Sequence, residues 1–273
     1  MGFLYEVWQI ILVFIIISII LVLTQRQQLY HPRSYNAADK KLIPYTKKIN
    51  YSVAGSQQTA YLYPPSENPK KIWVLLGGNA AIALQWLRLL QHIKLADTSF
   101  LLVDYPGYGQ NQGYPSERNN TQAVIAAYQA LQEHIKTKPE LFLMGHSLGS
   151  AIAIDAASTL QPKVLVLLSP FTSIYDMAKR SLSPPWAWLL KGFIWDTYLS
   201  EQKLTKLSKT NPNMKVYILH GTNDTIVPAS MGRKLAKAHP KSHYQELPKT
   251  GHQLPFEAEN KVKDIIINTS SSS

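Results

Sequence analysis

The nine residues Leu141-Phe142-Leu143-Met144-Gly145-His146-Ser147-Leu148-Gly149 restrict the fold of this chain more than any other stretch. An apolar run leads into a G-x-S-x-G turn, and small residues follow from Ser150 to Ala157. Strand, tight turn and helix in that order are the context of a nucleophile elbow. In so tight a turn the residues two before and two after the serine press on neighbouring backbone, which calls for glycine at both. The Ser147 hydroxyl would then stand exposed at the carboxyl end of a strand, with helix N-terminal N–H groups behind it. The bare pattern recurs by chance in roughly one chain of this size in ten. The alternative, a serine in an ordinary βα turn, is therefore weighed against what else the chain carries.

Around the elbow, apolar strand-like runs alternate with helix-like stretches. Residues 48–53 and 59–63 predict an antiparallel opening pair, and Lys71–Leu76, 100–104, 141–144, Val164–Leu168, 216–219 and His243–Leu247 predict further strands. Helices are expected over 82–95, from a Ser116 cap through 135, over 229–239, and from about 255 into an Asn/Ser-rich end. Buried strands alternating with helices imply an α/β fold with a mostly parallel sheet covered on both faces. Function in such sheets sits at the strands' carboxyl ends. One stretch, 171–211, interrupts the alternation and carries Trp186, Trp188 and Trp195 after the helix-breaking Ser183-Pro184-Pro185.

The N-terminus is of a different kind. Residues 7–25 hold no charge, and 10–23 are almost wholly Ile, Leu, Val and Phe. At about 1.5 Å per residue such a helix spans roughly the hydrocarbon core of a bilayer. A cleaved signal peptide would want a basic start and small residues before its cleavage site. Here Glu6 precedes the run and Thr24-Gln25-Arg26-Gln27 follows it, which favours an uncleaved anchor. Arg26, Arg33, Lys40 and Lys41 after the span lean the body toward the cytoplasmic side by the positive-inside bias. The expected organisation is an anchor over 1–26, a linker over 27–46, a catalytic domain over 47–268 with a lid at 171–211, and a disordered tail over 269–273.

Composition excludes several classes. The 273 residues include no cysteine, which removes disulfides, thiolate catalysis and thiolate metal sites together. The formal charge of +11 would fit nucleic acid, but the basic residues are scattered as single lysines and Lys-Lys pairs with no recognised nucleic-acid module. A solvated surface that favours anionic lipid is the better reading, with no nucleic acid as partner.

A serine hydroxyl needs a base to take its proton and a group to orient that base. After a strand–elbow–helix nucleophile the expected chain order is Ser, acid, His. Residues 216–219 lead into His220-Gly221-Thr222-Asn223-Asp224, which places Asp224 at a strand end. Residues 247–252 place His252 in a loop between the last strand and the last helix. Asp176 is the alternative acid. His220 is read as structural, and His146 as the variable position of the elbow. The charge developing on a carbonyl oxygen needs two donors. Leu148 N–H supplies one. The other is assigned to Asn79 N–H in the loop Gly77-Gly78-Asn79-Ala80, with Gly78 or Ala80 as alternatives. That loop carries neither a Walker lysine nor a dinucleotide fingerprint.

Taken together, the loop 77–80, the stretch Asp104-Tyr105-Pro106-Gly107-Tyr108-Gly109 with Gly113-Tyr114-Pro115-Ser116-Glu117, and the elbow resemble the α/β-hydrolase superfamily. The similarity is nearest to its single-span, membrane-anchored members, which include protein depalmitoylases. The chain departs from that group in having Gly77-Gly78-Asn79 where His-Gly-Asn is usual. The resemblance implies a serine hydrolase of the esterase, lipase or thioesterase class. Its substrate would be an acyl ester or thioester on a lipid or an acylated protein, and its chemistry would need no metal or cofactor. It also implies that 171–211 is the variable lid and that 104–116 is a structural loop. A non-catalytic binding module of the same fold, and an acyltransferase, are the alternatives.

Overall fold

The computed structural model describes residues 2–181 and 191–271. Among them the sheet has eight strands: β1 Lys47–Val53, β2 Ser56–Tyr63, β3 Lys71–Leu76, β4 Thr98–Val103, β5 Glu140–His146, β6 Val164–Leu168, β7 Lys215–Gly221 and β8 His243–Leu247. They lie in the order β1-β2-β4-β3-β5-β6-β7-β8. β1–β2 and β2–β4 are antiparallel, and every later pair is parallel.

Burial follows position in the sheet. In the edge strand β1, Ile49, Tyr51 and Val53 are buried while Lys48, Asn50 and Ser52 are exposed, the period-two pattern of a strand covered on one face. β3, β4 and β6 are buried throughout their central residues, as parallel strands covered on both faces must be. Alternate residues of β3 feed two separate cores. Ile72, Val74 and Leu76 pack with helices α4 Glu117–Gln132 and α5 Leu148–Leu160. Trp73 and Leu75 pack with Leu84, Trp86 and Leu90 and with the C-terminal helix. Ser116 caps α4, its side chain accepting from Asn119 N–H at 3.1 Å.

Four expectations change. The helix expected over 82–95 is a 3-10 turn, Ala83–Trp86, and a single α-turn, Leu87–Leu90. Leu84, Trp86, Leu87, Leu89 and Leu90 are all buried, more than one helical stripe can hide, so the stretch lies flat against the sheet. The segment 27–46 is a packed strap, not a free linker. The apolar helix runs on to Leu29, and Tyr30, Tyr35 and Asp39 beyond it are buried. Not all of 171–211, expected as a lid, stands apart from the core: Ser200–Thr210 forms a helix between β6 and β7 that buries Leu204 and Leu207. Trp186 and Trp188 lie outside the described residues. Finally, Thr269, Ser270 and Ser271, expected in a disordered tail, continue the last helix, Glu259–Ser271. Trp73 Nε1 donates to Ser270 Oγ at 2.9 Å, which gives the buried indole its partner and the helix end its anchorage.

The N-terminal helix, Gly2–Leu29, contains an 18-residue window of mean hydropathy 2.9 and is long and apolar enough to cross a membrane.

Candidate active site

The elbow forms where β5 turns into α5. Ser147 has φ 51° and ψ −115°, a left-handed backbone that a non-glycine residue adopts only under constraint. Close approach explains both flanking glycines. A Cβ on Gly145 would stand 2.1 Å from Gly149 O, and one on Gly149 would stand 2.5 Å from Leu76 O.

Asp224 follows β7 and His252 follows β8, and the parallel register of those strands carries both to the end of the sheet where Ser147 stands. His252 Nε2 lies 3.0 Å from Ser147 Oγ, and its Nδ1 lies 2.8 Å from Asp224 Oδ2. A carboxylate only accepts, so Nδ1 carries the proton and Nε2 is free to accept from the serine hydroxyl. Asp224 Oδ1 accepts from Ile226 N–H at 3.0 Å and Val227 N–H at 2.8 Å. Burial pushes the Asp224 carboxyl up, but the hydrogen bonds from His220, His252 and Val227 outweigh it and hold the group ionised, below the usual carboxylate range.

Around the three residues sit two further histidines. His220 Nε2 donates to Val227 O at 2.8 Å and lies 3.4 Å from Asp224 Oδ2, so it braces the acid's loop. His146, at the variable position of the elbow, points its Nε2 at the main-chain oxygen of His252, 2.8 Å away. Burial lowers the His146 imidazole to about 4, which keeps it neutral and donating through Nε2. The alternative acid, Asp176, accepts from Thr172 Oγ1 at 2.6 Å and has no bond to His252.

The loop 77–80 lies beside Ser147: a Cβ on Gly78 would stand 2.9 Å from His146 Nδ1 and 3.4 Å from Ser147 Cβ. Among the described residues neither Leu148 N–H nor Asn79 N–H has a hydrogen-bond partner. Ala80 N–H, one of the alternative donors, is engaged by Asn79 Oδ1 at 3.2 Å. The Asn79 side chain is fully used. Its oxygen also accepts from Tyr108 OH at 2.8 Å and His31 N–H at 3.0 Å. Its nitrogen donates to Leu29 O at 2.6 Å and His31 Nδ1 at 3.0 Å. Tyr105 OH donates to Gly77 O at 2.6 Å. The 104–109 loop therefore scaffolds the 77–80 loop, a role that no spacing in the sequence discloses. His31 was also missed as a site neighbour, since it lies 116 positions before Ser147.

A cavity of about 310 Å³ opens over the serine, lined by His31, Asn79, Ser147, Ile226, His252 and Gln253 among others. A larger cavity of about 830 Å³ lies elsewhere, between Arg26, Arg118, Asp155 and Lys206, and contains none of these groups.

The fold is that of an α/β hydrolase. Residues 67–216 match the family described as serine aminopeptidase, S33, and the chain belongs to that family. It is 37% identical over 145 residues to the lysophosphatidylserine lipase ABHD12 of Danio rerio, covering 48% of this chain and 37% of that one. It is 34% identical over 185 residues to an uncharacterised protein of Mycobacterium tuberculosis, covering 67% and 63%. With human alpha/beta hydrolase domain-containing protein 17C it shares 31% over 140 residues, covering 51% and 39%. The matches thus span 37% to 63% of these relatives' lengths. An esterase of Pyrococcus furiosus has the same fold, with TM-score 0.65 at 15% identity over 88% of this chain and 98% of that one. So does the thioesterase domain of the curacin biosynthetic pathway, with TM-score 0.57 at 15% identity over 82% and 99%.

Proposed function

We propose that this chain is a membrane-anchored serine hydrolase that cleaves carboxylic ester or thioester bonds through Ser147, His252 and Asp224. The observation that carries the reading is the continuous chain of hydrogen bonds from Ser147 Oγ through His252 to Asp224, at 3.0 and 2.8 Å. Family membership and the lipase, esterase and thioesterase named among similar proteins support it.

In this reading His252 Nε2 takes the Ser147 proton as Oγ attacks the acyl carbonyl. Asp224 keeps the imidazole in the Nδ1–H tautomer and stabilises its cation. Asn79 and Leu148 N–H groups receive the oxyanion. His252 then protonates the leaving alcohol or thiol, and water attacks the acyl-enzyme with His252 again as base. The Gly2–Leu29 helix is the anchor, the exposed Ile226 at the cavity over Ser147 suits an apolar acyl group, and the basic residues after the helix favour a cytoplasmic body.

A fluorophosphonate probe tests the nucleophile. The full chain in detergent should be labelled and hydrolyse p-nitrophenyl esters, and Ser147→Ala should lose both. Unlabelled, folded wild type would favour the binding-module alternative, and full activity in Ser147→Ala would remove Ser147 from the role. An acyl-chain series of esters and thioesters assigns the bond cleaved, and product analysis with added alcohol separates hydrolase from acyltransferase.

A further inference from the structure

The apolar helix does not end in a flexible tether. Arg26 Nε and Nη2 donate to both carboxylate oxygens of Asp196, at 2.7 and 3.3 Å, and the guanidinium lies 5.5 Å from the Trp195 ring centroid. Gln25 Nε2 donates to Phe193 O at 3.1 Å, and Gln25 Oε1 accepts from Trp195 N–H at 2.8 Å. The buried hydroxyls of Tyr30 and Tyr198 pair at 3.0 Å. Leu29 O accepts from Asn79, at the cavity over Ser147. A forked ion pair, an amide bracket, a buried hydroxyl pair and a loop contact fix orientation as well as distance. The catalytic domain therefore has one attitude relative to the helix.

That attitude sets depths. Polar residues begin at Thr24, and Phe193 shares an apolar cavity of about 310 Å³ with Ser18, Ile19, Val22 and Leu23 of the helix. At about 1.5 Å per residue, those positions lie up to two turns inside the apolar stretch. Phe193 is 55% exposed there, an unfavourable place for an aromatic ring in water and an ordinary one in hydrocarbon. Trp195 sits level with Gln25 and Arg26, where the helix turns polar, the depth at which Trp is enriched. His31, two residues past the helix end, lines the cavity over Ser147 together with the exposed Ile226.

We infer that residues 191–195 are a second membrane contact beside the anchor, which seats the Ser147 cavity at the boundary between hydrocarbon and headgroups, so that the enzyme takes acyl esters of membrane lipids from the bilayer itself. The ester carbonyls of lipids join acyl chains to headgroups and lie at that boundary. A scissile bond there reaches Ser147 with little of its acyl chain leaving hydrocarbon, and every methylene kept out of water favours that route. The inference rests on the membrane-anchored hydrolase reading.

Since the chain has no cysteine, single labels are placed cleanly. Phe193→Cys, Ile16→Cys and Lys138→Cys in the full chain would each carry an environment-sensitive fluorophore in phosphatidylcholine vesicles containing acyl-chain nitroxide lipids. Labels at 193 and 16 should emit as in hydrocarbon and be quenched by nitroxide, and the label at 138, on the opposite end of the sheet, should not. In parallel, Phe193→Glu should lower the rate on a vesicle-embedded lipid ester, relative to the rate on p-nitrophenyl acetate, by about tenfold, as loss of one buried aromatic ring implies. A water-exposed label at 193 beside a buried label at 16 would overturn the inference and leave the anchor standing. Equal effects of Phe193→Glu on both substrates would overturn it as well. Water exposure at both 193 and 16 would take the anchor reading down with it, whereas an inactive wild type on p-nitrophenyl acetate would strike the hydrolase reading alone.

Discussion

Asn79 Nδ2 donates to the carbonyl oxygen of Leu29 at 2.6 Å, joining the loop beside Ser147 to the last residue of the apolar helix. With His31 and Tyr108 completing its partners, the Asn79 amide has no free donor or acceptor to rotate toward. Its own backbone N–H has no partner among the described residues, and Asn79 lines the cavity over Ser147, which makes that N–H the candidate oxyanion donor. Gly77 and Gly78 carry no side chain, so the Asn79 amide, with Tyr105 OH on Gly77 O, ties the loop down.

Asn79→Ala should therefore lower kcat about tenfold to a hundredfold with little change in KM, somewhat less than outright loss of an oxyanion donor. Steady-state kinetics on a p-nitrophenyl ester, normalised to active sites titrated with fluorophosphonate, reads this directly. Tyr108→Phe should do less, because Asn79 Oδ1 keeps the N–H of His31. An unchanged kcat per titrated site in Asn79→Ala would detach the side chain from catalysis.

Asp224→Asn replaces an acceptor facing His252 Nδ1–H with a group that also presents a donor. The imidazole then loses the fixed tautomer in which Nε2 accepts from Ser147. A fall in kcat of about 10⁴-fold is expected, with folding intact. Circular dichroism and the melting temperature check the fold, and a fall of only a few-fold would point to another acid.

Much of this arrangement was legible in the sequence because it is written in local pattern. Lys71–Leu76 and Val164–Leu168 are strands at the residues expected, since runs buried on two faces stand out by composition alone, and His243–Leu247 is at the residues expected as a half-exposed edge strand. The order Ser147, Asp224, His252 was legible because each follows a strand end, and the register of a parallel sheet converts that order into proximity. Tertiary hydrogen bonds left no such trace. Nothing near His31 or Tyr108 says that both meet Asn79, and the polar look of 27–46 hides the buried Tyr30 and Tyr35. The Ser/Thr-rich C-terminus misleads in the same way, because its burial depends on Trp73, nearly two hundred residues away.

That C-terminal contact has a measurable value. Ser270→Ala leaves the buried Trp73 indole N–H without a partner, and an unsatisfied buried donor costs about 1–3 kcal/mol. Urea unfolding followed by tryptophan fluorescence should show the unfolding free energy falling by that amount, as a lower midpoint with an unchanged slope, while kcat stays at the wild-type value. A stability within a few tenths of a kcal/mol of wild type would mean that the Trp73–Ser270 hydrogen bond contributes nothing.

His146, buried and bonded to the main-chain oxygen of His252, links protonation to stability. Its imidazole is lowered from 6.5 to about 4 by burial, so between those values the unfolded chain binds a proton that the folded chain refuses. Stability from this group is complete above about pH 6.5 and is lost as pH falls through about 4, a change of about 3 kcal/mol. Asp104 and Asp155 act with the opposite sign. Burial pushes both up to about 6, so the folded state takes up their protons first and gains stability over part of the same window. Comparison with His146→Gln isolates the histidine: the amide can still donate to His252 O, but it does not titrate. Unfolding free energies measured at pH 7 and pH 4 should differ by about 3 kcal/mol less in the variant than in the wild type. Equal acid sensitivity of the two proteins would show that His146 is not held neutral in the fold. A His146→Gln enzyme with wild-type kcat at pH 7 would show that the His252 loop needs only the hydrogen bond, whereas a loss restored by no other donor at that position would assign the imidazole ring itself a place in holding His252 over Ser147.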